Sequence, residues 1–134
     1  MFLLHQQLDA DTALIMSLDI CRVLLMKDKR YPWVILVPEI DNLREIHDLD
    51  AEDFQKVMAE ARHCSEALQK LFGAYKMNMA ALGNMVPQLH VHIIARFETD
   101  PAWPGPIWGV GDLEPYTENE LHERVSLLQE TLSL

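Results

Sequence analysis

The chain has 134 residues, 49% of them hydrophobic, which suits a single domain able to bury its own core without covalent staples. Its formal charge of −10 argues against broad electrostatic binding to duplex nucleic acid or an anionic membrane, because both need a basic footprint. It leaves room for a small phosphate ligand held by local donors. No apolar run approaches the ~20 residues of a membrane span. The opening MFLLHQQLDAD lacks the basic lead-in of a secretion signal, so a cytoplasmic location is expected. Cys21 and Cys64 stand far apart and read as reduced, buried thiols.

In chain order, the first third reads as strand. TALIMSLD and ICRVLLM are rich in branched and long aliphatics. The charged turn KDKRY follows, and then PWVILVP, a short strand fenced by Pro32 and Pro38. A long helix is expected from about Asp50 to Phe72. Asp50 is its N-cap, with Asp53 in the capping-box position, and Gly73 is its stop. Phe54, Val57, Met58, Ala61, Cys64, Leu68, Leu71 and Phe72 keep the rhythm of one apolar face. The opposite face, with Lys56, Glu60, Arg62 and Glu66, is expected to be wet.

YKMNMAAL reads as a further strand, GNMVP as a turn, and the segment ending near Arg96 as the next strand. DPAWPGPIWGVGD is a loop too apolar to be a plain linker. Thr117 and Glu120 open a last helix that runs to Leu132, with Leu121, Val125 and Leu128 along its stripe. The fold class is therefore α+β: one domain over residues 1–134, an antiparallel sheet with one long central helix and a C-terminal helix.

The stretch QLHVHII, Gln88 to Ile94, carries the chemistry. Strand alternation puts Gln88, His90 and His92 in one row and Leu89, Val91 and Ile93 in the other. The aliphatic row would pack on a core, so the polar row faces a cleft, a ligand or solvent. Three readings fit an H-x-H pair: a half-exposed strand edge, two ligands of a Zn²⁺ site, or acid–base and nucleophilic chemistry on phosphorus. The metal reading needs a third ligand. Gln88 is a poor one, and His5, His47, His63 and His122 lie in no evident register with the pair. Just upstream, Gly83 and Asn84 form a turn whose backbone and amide donors suit an anion.

The segment GNMVPQLHVHIIAR resembles the signature of the histidine-triad (HIT) family of nucleotidyl hydrolases and transferases, G-Q-x-V-x-H-φ-H-φ-H-φ-φ with φ hydrophobic. Gly83, Val86, His90 and His92 match it, and Asn84 stands at the glutamine. WVILVP and HDLDAEDF resemble the strand and the helix start that precede the motif, so the likeness covers about residues 20–96. The loop and helix of 97–134 lie beyond this motif core. Gln88 at the first triad position is similar to a Q-x-H-x-H subgroup, and Trp33 stands where several branches carry another histidine.

This resemblance implies a nucleotide substrate, His90 as nucleophile on the α-phosphorus, and His92 at the α-phosphate and leaving group. A main-chain carbonyl at position 88 would accept from the nucleophile's Nδ1–H. Release of a nucleoside monophosphate would follow, with no metal or other cofactor required. The Gly83–Asn84 turn and the Gln88 amide would bind phosphate, Asn78 would touch phosphate or sugar, and Asp28 would accept from ribose hydroxyls. A solvated turn aspartate is the competing reading for Asp28. A homodimer through the long helix and an adjoining strand is also implied. Gln88 in place of an imidazole leaves open a binding module with little turnover. Trp103 and Trp108 read either as plugs at a core edge or as a rim to the pocket.

Overall fold

The computed structural model of the protein describes residues 1–133. Five strands, β1 (Thr12–Ser17), β2 (Cys21–Met26), β3 (Trp33–Pro38), β4 (Lys76–Ala80) and β5 (Val91–Arg96), form one antiparallel sheet. Its order is β1-β2-β3-β5-β4, so the last strand inserts between two earlier ones. Helices α1 (Gln6–Asp11), α2 (Ala51–Phe72) and α3 (Glu118–Leu132) complete the α+β fold. Every residue of β3 and of β5 is buried, because both faces of the sheet centre are covered.

Helix α2 starts where the sequence says it must. The Asp50 carboxylate accepts from the Asp53 N–H at 2.8 Å, and Gly73 ends the helix at φ 64°, a left-handed cap natural to glycine. Val57, Ala61, Cys64 and Leu68 pack with Val23, Leu25, Val34, Leu36, Val91 and Ile93 on one face of the sheet. Burying each such large aliphatic contributes about 1.5–3 kcal/mol. Helix α3 shares that face. Its Thr117–Glu120 capping box forms as expected, and Leu128 and Leu132 join the same core. Burial raises both thiols, Cys64 up to about 12, so each is held in its protonated form.

Two features of α2 differ from the expected stripe. Phe54 is 42% exposed, so the buried row begins one turn later, at Val57. Glu60 is not on a wet face. Its carboxylate accepts from the backbone N–H groups of Ile20 and Cys21 at 3.0 and 2.8 Å. The turn between β1 and β2 would otherwise lack partners for those donors.

The second face carries a separate core of Leu8, Leu24, Tyr31, Trp33, Ile35, Val37, Ile94 and Ile107, with Phe2, Leu4 and Trp108 against it. Helix α1 and the loop after β5 cover it. The sequence reading left α1 out, because six residues are too few to show a helical period. The loop is tied down by Arg96, only 1% exposed, which donates to Asp100, Asn78 and the Gly105 carbonyl. Trp103 lies against that guanidinium and against Tyr75. Among the described residues, no helix is long and apolar enough to cross a membrane.

Glu60→Ala should lower the unfolding free energy by about 1–3 kcal/mol, because two N–H groups of the β1–β2 turn lose a charged acceptor. Urea unfolding measures this, and an unchanged midpoint would show that water replaces the carboxylate at no cost.

Candidate active site

The alternation expected for QLHVHII holds. Leu89, Val91 and Ile93 enter the core beneath α2, while His92 meets Trp33 and Trp108 on the opposite face. Register explains the Trp33 contact, since β3 pairs with β5 through Trp33–Ile94 and Ile35–His92. His90 and His92 are each 5% exposed, and their ring centroids lie 4.9 Å apart with the planes at 70°. They share a pocket of about 410 Å³ with Leu82, Gly83, Asn84, Met85, Val86 and Trp108.

Hydrogen bonds fix how each ring is protonated. A carbonyl can only accept, so the 2.6 Å contact between His90 Nδ1 and the Gln88 carbonyl puts the proton on Nδ1. The neutral ring then carries its lone pair on Nε2, which meets no protein hydrogen-bond partner among the described residues. An indole N–H can only donate, so His92 Nδ1, 3.0 Å from Trp33 Nε1, is the acceptor. His92 therefore holds its proton on Nε2, 3.2 Å from the Leu82 carbonyl. Both rings are held below the ordinary histidine range. Desolvation is the main cause for each, and for His92 it is reinforced by His90, bringing it down to about 4. Both imidazoles are neutral at neutral pH.

Gly83 answers a steric demand. A Cβ there would meet the Val86 carbonyl oxygen at 2.7 Å and His90 Cε1 at 3.2 Å, so only glycine lets the turn close over the ring. Asn84 is exposed at the pocket wall.

Three other expected residues are placed elsewhere. The Gln88 side chain does not line this pocket: its Oε1 accepts from the His5 N–H at 2.8 Å and its Nε2 donates to the Leu3 carbonyl at 2.9 Å. That amide clasps the N-terminal segment, and only its backbone carbonyl serves His90. Asn78 Oδ1 is taken by Arg96 Nη1 at 2.8 Å. Asp28 is neither a solvated turn residue nor free for a sugar. It is 1% exposed and paired with Arg30 at 2.8 Å, and it accepts from the Glu114 N–H as well.

The two tryptophans divide between the readings open for them. Trp108 rims the pocket, and Trp103 plugs the loop against Arg96. Sequence reading passed over the Leu82 carbonyl, which no side-chain pattern marks. Nor does the sequence show that the His5 N–H, 83 residues from Gln88, meets that side chain. Three of the four ring nitrogens of the pair are hydrogen-bonded within the protein. Among the described residues, no group of three or more His, Cys, Asp or Glu is arranged to hold a metal ion.

A buried pair of neutral imidazoles, at the start of a strand packed under a long helix and beside a glycine turn, is the arrangement that the comparisons with known proteins place in a family. A family model for the HIT domain matches residues 7–99, and the chain belongs to that family. The family comprises nucleotide-binding hydrolases and transferases. The chain is similar to a solved histidine triad protein from Marinobacter aquaeolei, with 50% identity over 99% of this chain and 97% of that one, at a TM-score of 0.96. Histidine triad proteins from Bradyrhizobium japonicum and Sinorhizobium meliloti follow at 43% and 42% identity. They cover 98% and 97% of this chain and 98% and 96% of their own, each with a TM-score of 0.94. No curated protein sequence matches the chain at a significant level.

The depressed His92 makes stability depend on pH. Below 6.5 the unfolded chain takes up a proton that the folded ring, titrating at about 4, refuses. Unfolding free energy should therefore fall as pH drops from 6.5 towards 4, by on the order of 3 kcal/mol from this ring alone. Urea midpoints across that window test it, and His92→Phe should flatten the slope.

Proposed function

We propose that the protein is a nucleotidyl hydrolase or transferase that works through a covalent intermediate on His90. The observation that carries this reading is the short bond from His90 Nδ1–H to the Gln88 carbonyl, which leaves Nε2 as a lone pair within the pocket. In the first step Nε2 attacks the α-phosphorus of a nucleotide ester, anhydride or amide. The P–N bond forms as the bond to the leaving group breaks, and the leaving group departs with that electron pair. In the second step water or another acceptor attacks the same phosphorus, loses a proton, and returns the pair to Nε2. A nucleoside monophosphate or its transferred ester is released.

The Gly83–Asn84 turn supplies donors to the non-bridging oxygens, and fixed donors of this kind are worth about 3–4 kcal/mol each in the transition state. The carbonyl of residue 88 does its part whatever the side chain is, which supports turnover despite the missing imidazole. The reading as a binding module without turnover draws no support from Gln88, whose amide points away from the pocket.

We also propose a homodimer. Among the described residues strand β4 is a sheet edge with one side unpaired, with exposed Met79 on it and exposed Tyr75 just before it. Such an edge is a template for a second copy. Light scattering on the purified protein should give twice the chain mass, and a monomer at micromolar concentration would end this proposal.

His90→Ala should abolish release of a nucleoside monophosphate from an adenosine phosphoramidate, a drop of at least a thousandfold. Mass spectrometry of the acid-sensitive intermediate should find one nucleotidyl group on His90 of the unaltered protein. Turnover persisting in His90→Ala would remove the nucleophile assignment. Tight monophosphate binding with no adduct and no turnover would instead favour the binding module.

A further inference from the structure

Among the described residues, Trp33 is the one buried side chain that directs a polar atom at the imidazole pair from a neighbouring strand. Trp33 and His92 are 6% and 5% exposed, and the indole N–H lies 3.0 Å from His92 Nδ1. Trp108 packs edge-on against both rings, at centroid distances of 6.2 and 5.1 Å, and limits their movement. An indole nitrogen has no lone pair to offer, so this contact exists only while His92 Nδ1 is bare. A proton on Nδ1 would set two N–H groups against each other in a buried space. Flipping the ring would leave the indole N–H without a partner, at a cost of the kind that buried donors resist.

We propose that Trp33 is a positioning residue for the phosphoryl pocket: its indole N–H pins His92 as the Nε2–H tautomer and turns that ring into a fixed, uncharged hydrogen-bond donor for an anionic oxygen of the ligand. In the free protein the Nε2–H rests on the Leu82 carbonyl at 3.2 Å, long for an N–H···O bond. A phosphate oxygen, being charged, is the stronger acceptor and takes the proton donor over. His92 then binds the ligand without surrendering its proton, since losing it would leave an imidazolate anion beside the bound anion. The inference rests on the nucleotide reading only for the identity of the anion. The pinning itself belongs to the chain.

The test begins with ¹⁵N NMR of the unaltered, ligand-free protein. His92 should show a bare, accepting Nδ1 and a protonated Nε2, with scalar coupling across the bond to the Trp33 indole. A proton on Nδ1 overturns the proposal. Adding AMP should move the His92 Nε2–H proton downfield, and no movement at saturating AMP also overturns it. Trp33→Phe keeps an aromatic ring at the position and removes the donor. It should weaken AMP binding in calorimetry about tenfold while urea unfolding stays cooperative, and unchanged AMP affinity would refute the positioning role. If the Phe variant does not fold, the two NMR results decide. A protein that shows the pinned tautomer and the AMP response but forms no adduct on His90 would lose its proposed enzymology and keep this inference.

Discussion

Two imidazoles buried side by side bring four ring nitrogens out of water, and each needs a hydrogen-bond partner or a use. Three are satisfied, by the Gln88 carbonyl, the Trp33 indole and the Leu82 carbonyl. The fourth, His90 Nε2, is the atom left for the pocket. Removing a partner would free its ring to turn or to exchange protons between its nitrogens, and without the Gln88 carbonyl the lone pair on His90 Nε2 would no longer be guaranteed. The chemistry of the site is thus a consequence of how the strand is satisfied.

That arrangement needs a sheet centre covered on both sides. Helix α2 seals the aliphatic row of β5. The polar row is closed by a loop of prolines, glycines and tryptophans that has no periodic structure of its own. Arg96 supplies its rigidity. Standing at the end of the same strand as His92, it binds Asp100, Asn78 and the Gly105 carbonyl and holds the start of the loop. Arg30 does the same at the far end, bonding the Val110 carbonyl at 2.6 Å while paired with Asp28. Trp108 lies between these two ties, which is why its ring can press on His92. A buried charge is costly alone, and each guanidinium here is matched by a carboxylate and by a backbone carbonyl.

Whatever depended on period, caps and turn residues was legible in the sequence: all five strands, α2 with Asp50 and Gly73 at its ends, and α3 with its Thr117–Glu120 box. His90, His92 and the Gly83 turn were legible because their spacing is local. What escaped was decided across distance. The motif makes Gln88 a pocket amide, but its two polar atoms bond Leu3 and His5, more than 80 residues away. Asp28 and Asn78 enter only through what the family resemblance implies, but each stands near an arginine that claims it first. Glu60 sits on the outward-reading side of α2, yet the β1–β2 turn comes to meet it. Side chains with several donors or acceptors choose partners from the whole fold, and a linear pattern carries no information on that choice.

The lining of the pocket also bears on how an anion can be held there. Leu82, Gly83, Asn84, Met85, Val86, His90, His92 and Trp108 include no lysine, arginine or carboxylate. Desolvation keeps both imidazoles uncharged, so no full positive charge faces the ligand from within, and the chain as a whole is negative. Attraction must come from oriented dipoles at short range: the turn after Leu82, the Asn84 amide and the His92 Nε2–H. The burial that lowers the affinity of His90 for protons serves the same end. A surface imidazole spends part of its time protonated near neutral pH and is then no nucleophile. Sealing it between a sheet, a glycine turn and Trp108 shrinks that fraction, so the desolvation that would ready the proposed attacking nitrogen is also what would leave an anion to be held by aimed N–H groups.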